Sequence, residues 1–197
     1  MEKCRIERFQ KEIGVSDYLE GYVAVEEFLE YCKACPNYGV IWSCPPFDFD
    51  AEGFWCRFSR LLVIARKIHL PGGISQEEGF RILSDVKADM TRELLELEAA
   101  NPGSVALSAG SCSICRKSFG SETESENETV TGNAAPHGCP RPDGQPCRHP
   151  DTMRYSVEAL GGNVGLTVQK LLGIQLEWME EGKLPSYFVL VGGLLMP

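Results

Sequence analysis

Apolar residues recur at spacings of three and four through Phe80, Leu83, Val86, Met90, Leu94 and Leu97, a stripe that predicts one long amphipathic helix. Ser75 and Glu78 form a capping box at its start, and Asn101-Pro102-Gly103 stops it. The stripe reads as core, with no cofactor role. Before it, residues 58–70 centre on the continuous apolar run Leu61-Leu-Val-Ile-Ala65, which predicts a buried strand. After it, Val105-Ala-Leu107 predicts another. Residues 58–108 are thus a strand–helix–strand unit, right-handed in its crossover if its strands pair in parallel.

The first 35 residues predict a short extended segment and then a helix, with Val25, Phe28, Leu29 and Cys32 on one face. Cys32 falls in the last turn, and Pro36 disfavours helical geometry at Cys35. Tyr38-Gly39 is a turn, and Cys44-Pro45-Pro46 forces a rigid extended exit. Toward the end, Asp151–Leu160 and Val164–Leu172 predict two helices broken by Gly161-Gly162. The run Gly161-Gly-Asn-Val-Gly165 could cradle an anion, but a helix–helix break is its commoner meaning. Ile174, Leu176 and Trp178 alternate as in a strand, Tyr187–Val191 predicts another, and Glu181-Gly182-Lys183 suggests the hairpin between them. Residues 118–136 are acidic and poor in apolar side chains, a composition that cannot offset its ordering entropy. They predict a disordered acidic insertion within a single domain spanning 1–197.

Together these elements predict an α+β fold: a mixed sheet of four to five strands packed by helices, with cysteine loops at one edge. The chain has 19 basic and 28 acidic residues, a net charge of −9. That balance argues against nucleic acid, whose binders need a basic surface. The start has no apolar leader core, and the most apolar stretch, 187–197, is too short to span a bilayer. A cytoplasmic, reducing setting is the expectation, and no membrane partner is expected.

In that setting the nine cysteines point to metal or redox work more than to disulfides. Seven of them form two groups. Cys32-Lys-Ala-Cys35 and Cys44 make the first; Cys112-Ser-Ile-Cys115, Cys139 and Cys147 make the second. Soft thiolates favour zinc, copper(I) and iron–sulfur clusters, and four of them complete a zinc tetrahedron or supply one ligand per iron of a [4Fe–4S] cube. Zinc ribbons usually pair two Cys-x-x-Cys knuckles, whereas the returning half here is Cys139 and Cys147 with seven residues between them. Cys44-Pro45 and Cys139-Pro140 carry the proline that often follows a cluster ligand. The spacing favours a [4Fe–4S] cluster, one or two per chain, and leaves zinc as the alternative.

Arg116, Lys117, Arg141, Arg148 and Arg154 gather around the second group, where cations would stabilise a negatively charged centre. His137 and His149 flank cysteines and are available to zinc. Cys32, Cys35 and Cys44 are one ligand short of four; Cys4 and Cys56 have no motif around them. A metal held by three thiolates leaves a position open to substrate. No Walker loop, nucleophile elbow or dinucleotide fingerprint is present, and the cysteine pairs lack a thioredoxin-type setting.

The pieces Phe28-Leu-Glu-Tyr-Cys32-x-x-Cys35-Pro-Asn-Tyr-Gly39, Trp42-Ser-Cys44-Pro-Pro46 and Gly110-Ser-Cys112-x-Ile-Cys115 resemble a prokaryotic family of predicted metal-binding proteins. So do Pro146-Cys147-Arg-His-Pro150, Met153-Arg-Tyr-Ser-Val-Glu-Ala-Leu-Gly161 and Tyr187-Phe-Val-Leu-Val-Gly-Gly193. The resemblance covers nearly the whole chain. It implies metal binding, with an iron–sulfur centre as the expectation, and no established reaction. The chain departs from the family pattern between Cys115 and Cys139, where about twenty residues intervene. Loop length adds closure entropy only logarithmically, about 0.6 kcal/mol per doubling, so the site should survive the insertion.

The expected function is that of an iron–sulfur protein, with Cys112, Cys115, Cys139 and Cys147 on the cluster and Cys32, Cys35 and Cys44 on a second metal site. It would act in electron transfer or redox chemistry with a partner protein or a small-molecule substrate. A zinc-binding structural protein, sensor or carrier is the first alternative. A redox enzyme with an open metal site at Cys32, Cys35 and Cys44 is the second.

Overall fold

The computed structural model describes residues 4–115, 138–179 and 183–197. The expected acidic insertion at 118–136, His137, Arg116, Lys117 and most of the expected hairpin at 181–183 lie outside them. β1 (Arg5–Gly14) leads into α1 (Val15–Tyr22) and α2 (Val25–Lys33); α3 (Ala51–Trp55) precedes β2 (Arg60–His69). The long helix α4 (Gln76–Ala100), the short β3 (Val105–Leu107), one turn of α5 (Val164–Leu166) and β4 (Tyr187–Met196) follow. The four strands lie in the order β1-β2-β4-β3.

This is the expected α+β fold with a four-stranded sheet. All three ladders are antiparallel, with registers such as Phe9–Ala65, Leu62–Leu194 and Val105–Leu195. The sheet is thus antiparallel rather than mixed, and the one parallel bridge among the described residues, Ser108 to Ser156, lies outside its strands. β2 and β3 do not pair: β4 is inserted between them, so the chain's last strand supplies the partner that both need.

β2 is apolar on both faces because both faces are covered. Leu61, Val63 and Ala65 join Val15, Tyr18, Trp55, Leu160 and Val168 in one core. Ile64 and Leu194 meet Met90 and Leu94 of α4 in the other. At Gly192 a Cβ would lie 2.7 Å from the Leu107 carbonyl oxygen and 2.9 Å from Leu94, so glycine allows β3 and α4 to approach β4. Ser75 Oγ accepts the Glu78 amide at 3.1 Å, as the capping signal predicts. Along the predicted stripe Val86, Met90 and Leu94 are buried, whereas Phe80 is exposed and stacks on Phe188.

Three local expectations are corrected. Residues 151–160 hold a single 3-10 turn, Glu158–Leu160, because the preceding residues are drawn to the end of β3. There the Ser108 amide donates to the Tyr155 carbonyl, and Ser108 Oγ to that of Arg154. Residues 164–172 are one α turn followed by a π turn, Thr167–Leu171. Tyr18 Oη and Thr167 Oγ1 lie 2.8 Å apart there. Residues 174–178 join no ladder: Ile174 is buried and Trp178 exposed, so their alternation records a chain lying across the core. Among the described residues, no helix is long and apolar enough to cross a membrane.

Candidate metal centre

The first cysteine group is shaped by the end of α2. The Cys35 amide donates to the Cys32 carbonyl, turning the chain at the helix end, and the Tyr38 amide donates to the Cys35 carbonyl. Gly39 takes a positive φ of 69°, and its amide reaches the Pro45 carbonyl, closing the loop. The Cys44 amide donates to Ile41 within it. Burial pushes the Cys44 thiol up to about 11, with Cys35 and Cys32 adding to the rise. Burial also raises Cys32, helped by Cys35 and then by the Glu158 carboxylate. Cys32 and Cys44 therefore both feel the thiols beside them, and both would ionise more readily with a cation among them.

The second group begins on the loop that leaves β3. Lys87 of α4 donates to the Ser111 carbonyl at 2.5 Å, Asn37 Nδ2 donates to Ser111 Oγ, and the Cys112 amide donates to the buried Ser43 Oγ at 2.9 Å. After Cys115 the chain returns at Gly138, where φ is 55° and a Cβ would lie 2.5 Å from the Cys115 carbonyl oxygen. Only glycine tolerates that approach. Cys112, Cys115, Cys139 and Cys147 all line one cavity, together with Ile41, Trp42, Ile114, His149 and Met153. Among the described residues its lining contains no carboxylate. The His149 amide donates to Cys147 Sγ at 3.4 Å. Burial raises Cys112, with Cys115 and Cys147 adding and Lys87 opposing. Burial also raises Cys115, with Cys139 and Cys147 adding and Arg148 opposing.

The two groups adjoin. Arg141, expected to balance charge at the second group, donates instead to the carbonyls of Ile41, Cys44 and Pro46 and stacks over Trp42 at 5.0 Å. Trp42 Nε1 in turn donates to the Gln145 carbonyl. Each cysteine loop is thus part of the other's support. Arg148 donates to the Gly138 carbonyl, while Arg154 leaves the thiols for Glu98. Cys4 donates to the His69 carbonyl, and Cys56 is exposed at the end of α3. Gly161, at a φ of 84°, ends the 3-10 turn Glu158–Leu160 rather than separating two helices, and Asn163 Oδ1 caps the turn after it.

Among the described residues, no three His, Cys, Asp or Glu side chains already have the arrangement of a single-ion site. Lys87, Ser43 and Glu158 escape the sequence reading. Lys87 and Glu158 each occupy one position in a pattern that reads as helix, and a lone serine beside a cysteine has no signature. Glu158 Oε2 and Asn37 Oδ1 are buried without hydrogen-bond partners.

A family model described as "Predicted metal-binding protein (DUF2284)" matches residues 20–196. No curated protein and no solved structure matches the chain.

Proposed function

The chain belongs to the DUF2284 family of predicted metal-binding proteins, and from that premise we propose that it is an iron–sulfur protein. In this reading Cys112, Cys115, Cys139 and Cys147 hold a [4Fe–4S] cluster, and Cys32, Cys35 and Cys44 serve a second metal or cluster site. The observation that carries the reading is that four thiols line one cavity, with no carboxylate beside them among the described residues. A cube takes one thiolate per iron, so its ligands stand around a core larger than a single ion. Four thiols around a shared cavity are the number such a core requires, as they are for a zinc tetrahedron.

The cavity's surroundings also suit a negatively charged centre. Lys87 and Arg148 act on its thiols, and the His149 amide donates to Cys147; such donors tune cluster potentials. The role is electron transfer or cluster-based redox chemistry in a reducing cytoplasm, with a partner protein or a small substrate. The second reading, a zinc-binding module, sensor or carrier, is favoured by one observation: the His149 side chain shares the cavity with the thiols. The third reading is a redox enzyme with an open metal site at Cys32, Cys35 and Cys44.

Anaerobic purification tests the reading. A brown protein absorbing broadly near ~400 nm, with iron and acid-labile sulfide in equal amounts, is expected. A colourless protein with stoichiometric zinc and no sulfide contradicts it.

A further inference from the structure

Along α4, Lys87, Thr91 and Leu95 recur every fourth residue and so stand in one row. The loop leaving β3 lies against that row: Lys87 Nζ donates to the Ser111 carbonyl at 2.5 Å. Between helix and loop is a cavity of about 30 Å³, lined also by Cys112, Ile114 and Arg154. Two cations, Lys87 and Arg154, face it, and among the described residues no carboxylate lines it. Glu98, outside that lining, holds the Arg154 guanidinium through Nε and Nη2. Ser111 Oγ accepts from Asn37 Nδ2, and its own O–H is a donor.

The cavity has two neighbours. Cys112 and Ile114 also line the thiol cavity, so whatever occupies this space lies against the Cys112 side of the candidate metal centre. On the other side, Thr91, Leu95, Ile114 and Thr152 continue into an open groove of about 470 Å³. Ala88 and Ala99 leave room in the groove, Leu95 and Ile114 make it apolar, and Arg92 and Glu96 edge it with one charge of each sign. Small-molecule sites combine mostly apolar walls with a few placed polar groups, and these two spaces together do so. A water-sized group takes up about 10–15 Å³ of such a cavity, so the inner space accepts two of them. The two oxygens of a carboxylate fit there, and the four of a phosphate do not.

We propose that the cavity and the groove together bind a small carboxylic acid with an apolar body, its carboxylate against Lys87, Arg154 and Ser111 and its body along α4. The charge of the cavity selects an anion, its size selects a carboxylate, and the groove selects an apolar body. Bound this way, the head of the acid lies beside Cys112. As a substrate assignment this rests on the reading that the thiol centre acts on a small molecule; as a binding site it stands without the metal.

The test is calorimetric titration of the full-length, anaerobically purified protein with hexanoate, acetate, hexanamide and inorganic phosphate, with metal and sulfide counted on the same preparation. A methylene buried outright contributes about fourfold in affinity, and one in a groove open on one side about twofold. Hexanoate should therefore bind at least about tenfold more tightly than acetate, and more tightly than hexanamide or phosphate. Lys87→Gln, which keeps a donor for the Ser111 carbonyl and removes the charge, should weaken hexanoate about tenfold or more and hexanamide less. Amide exchange across 111–114 should slow when hexanoate is bound. The proposal is overturned if hexanoate does not bind, if phosphate binds better, if Lys87→Gln binds hexanoate as the wild type does, or if exchange at 111–114 is unchanged. Each of these leaves the metal reading standing. A preparation without metal that still binds hexanoate at 111–114 supports the site and counts against the metal reading instead. Should Lys87→Gln not fold, Leu95→Ala carries the test: a loss of about three- to tenfold for hexanoate and none for acetate supports the proposal, and equal effects on both overturn it.

Discussion

Removing Arg141 should loosen both cysteine loops at once. Its guanidinium donates to the carbonyls of Ile41, Cys44 and Pro46 and lies over Trp42. A hydrogen bond to a charged group contributes about 1.5–3 kcal/mol, and a cation over an indole about 0.5–1 kcal/mol when exposed. The contributions do not add in full, because one guanidinium makes all of them and water reaches the vacated carbonyls. A net cost of about 3 kcal/mol for Arg141→Ala follows. For a chain of this size that lowers the thermal midpoint by roughly 6–12 °C if unfolding is cooperative. The location of the loss is more diagnostic than its size. Amide exchange should rise at Gly39 and Cys44, whose N–H groups bond to Pro45 and Ile41 inside the clamped loop, while β2 and β4 stay protected. Arg141→Lys keeps the charge but not the planar fork, and should recover less than half of the loss. Unchanged exchange at residues 39–46 in Arg141→Ala would refute the clamp.

The remaining predictions concern the supports around the thiols. Ser43→Ala leaves the Cys112 amide without its buried acceptor, and a cost of about 1–3 kcal/mol should appear in urea unfolding. Gly161→Ala places a methyl against Val25 at a left-handed φ, and about 2–4 kcal/mol of destabilisation should accompany faster exchange at Ala24. At Glu98, burial raises the carboxyl, but the Arg154 hydrogen bonds, the Ala106 amide and the Arg154 charge outweigh it and hold it below its ordinary value. Because the folded value is the lower one, the pair's stabilisation is present above about pH 4.3, the unfolded glutamate range, and fades as pH falls through the folded value. Arg154→Met should therefore lose about 1–3 kcal/mol at pH 7, and its deficit relative to wild type should shrink below about pH 4. A deficit that is constant with pH would contradict the ion-pair account.

The long elements were legible because period and length agreed. The α4 stripe, its Ser75 cap and the β2 run each had one physical reading, and β4 extends the predicted 187–191 strand by matching β2 along its whole length. The region 151–172 was not legible, because its apolar spacing suits helices while its backbone is committed elsewhere. Ser108 takes the Tyr155 carbonyl, and Trp55 Nε1 takes that of Leu160. Such long-range bonds leave no local trace in sequence. The thiol groups were visible from spacing alone, but their contact was not: Ser43 to Cys112 and Arg141 to the 41–46 loop join residues distant in the chain. Glu158 was hidden for the same reason, since a single carboxylate in an apolar run ordinarily faces water.

Iron and acid-labile sulfide per chain, compared between the wild type and Cys112→Ala/Cys115→Ala after anaerobic purification, tests the central claim most directly. The account predicts that the variant loses about four iron and four sulfide per chain together with most of the visible absorption attributable to one cluster. A variant that keeps the wild-type iron and sulfide, or a wild type that carries zinc and no sulfide, would contradict it.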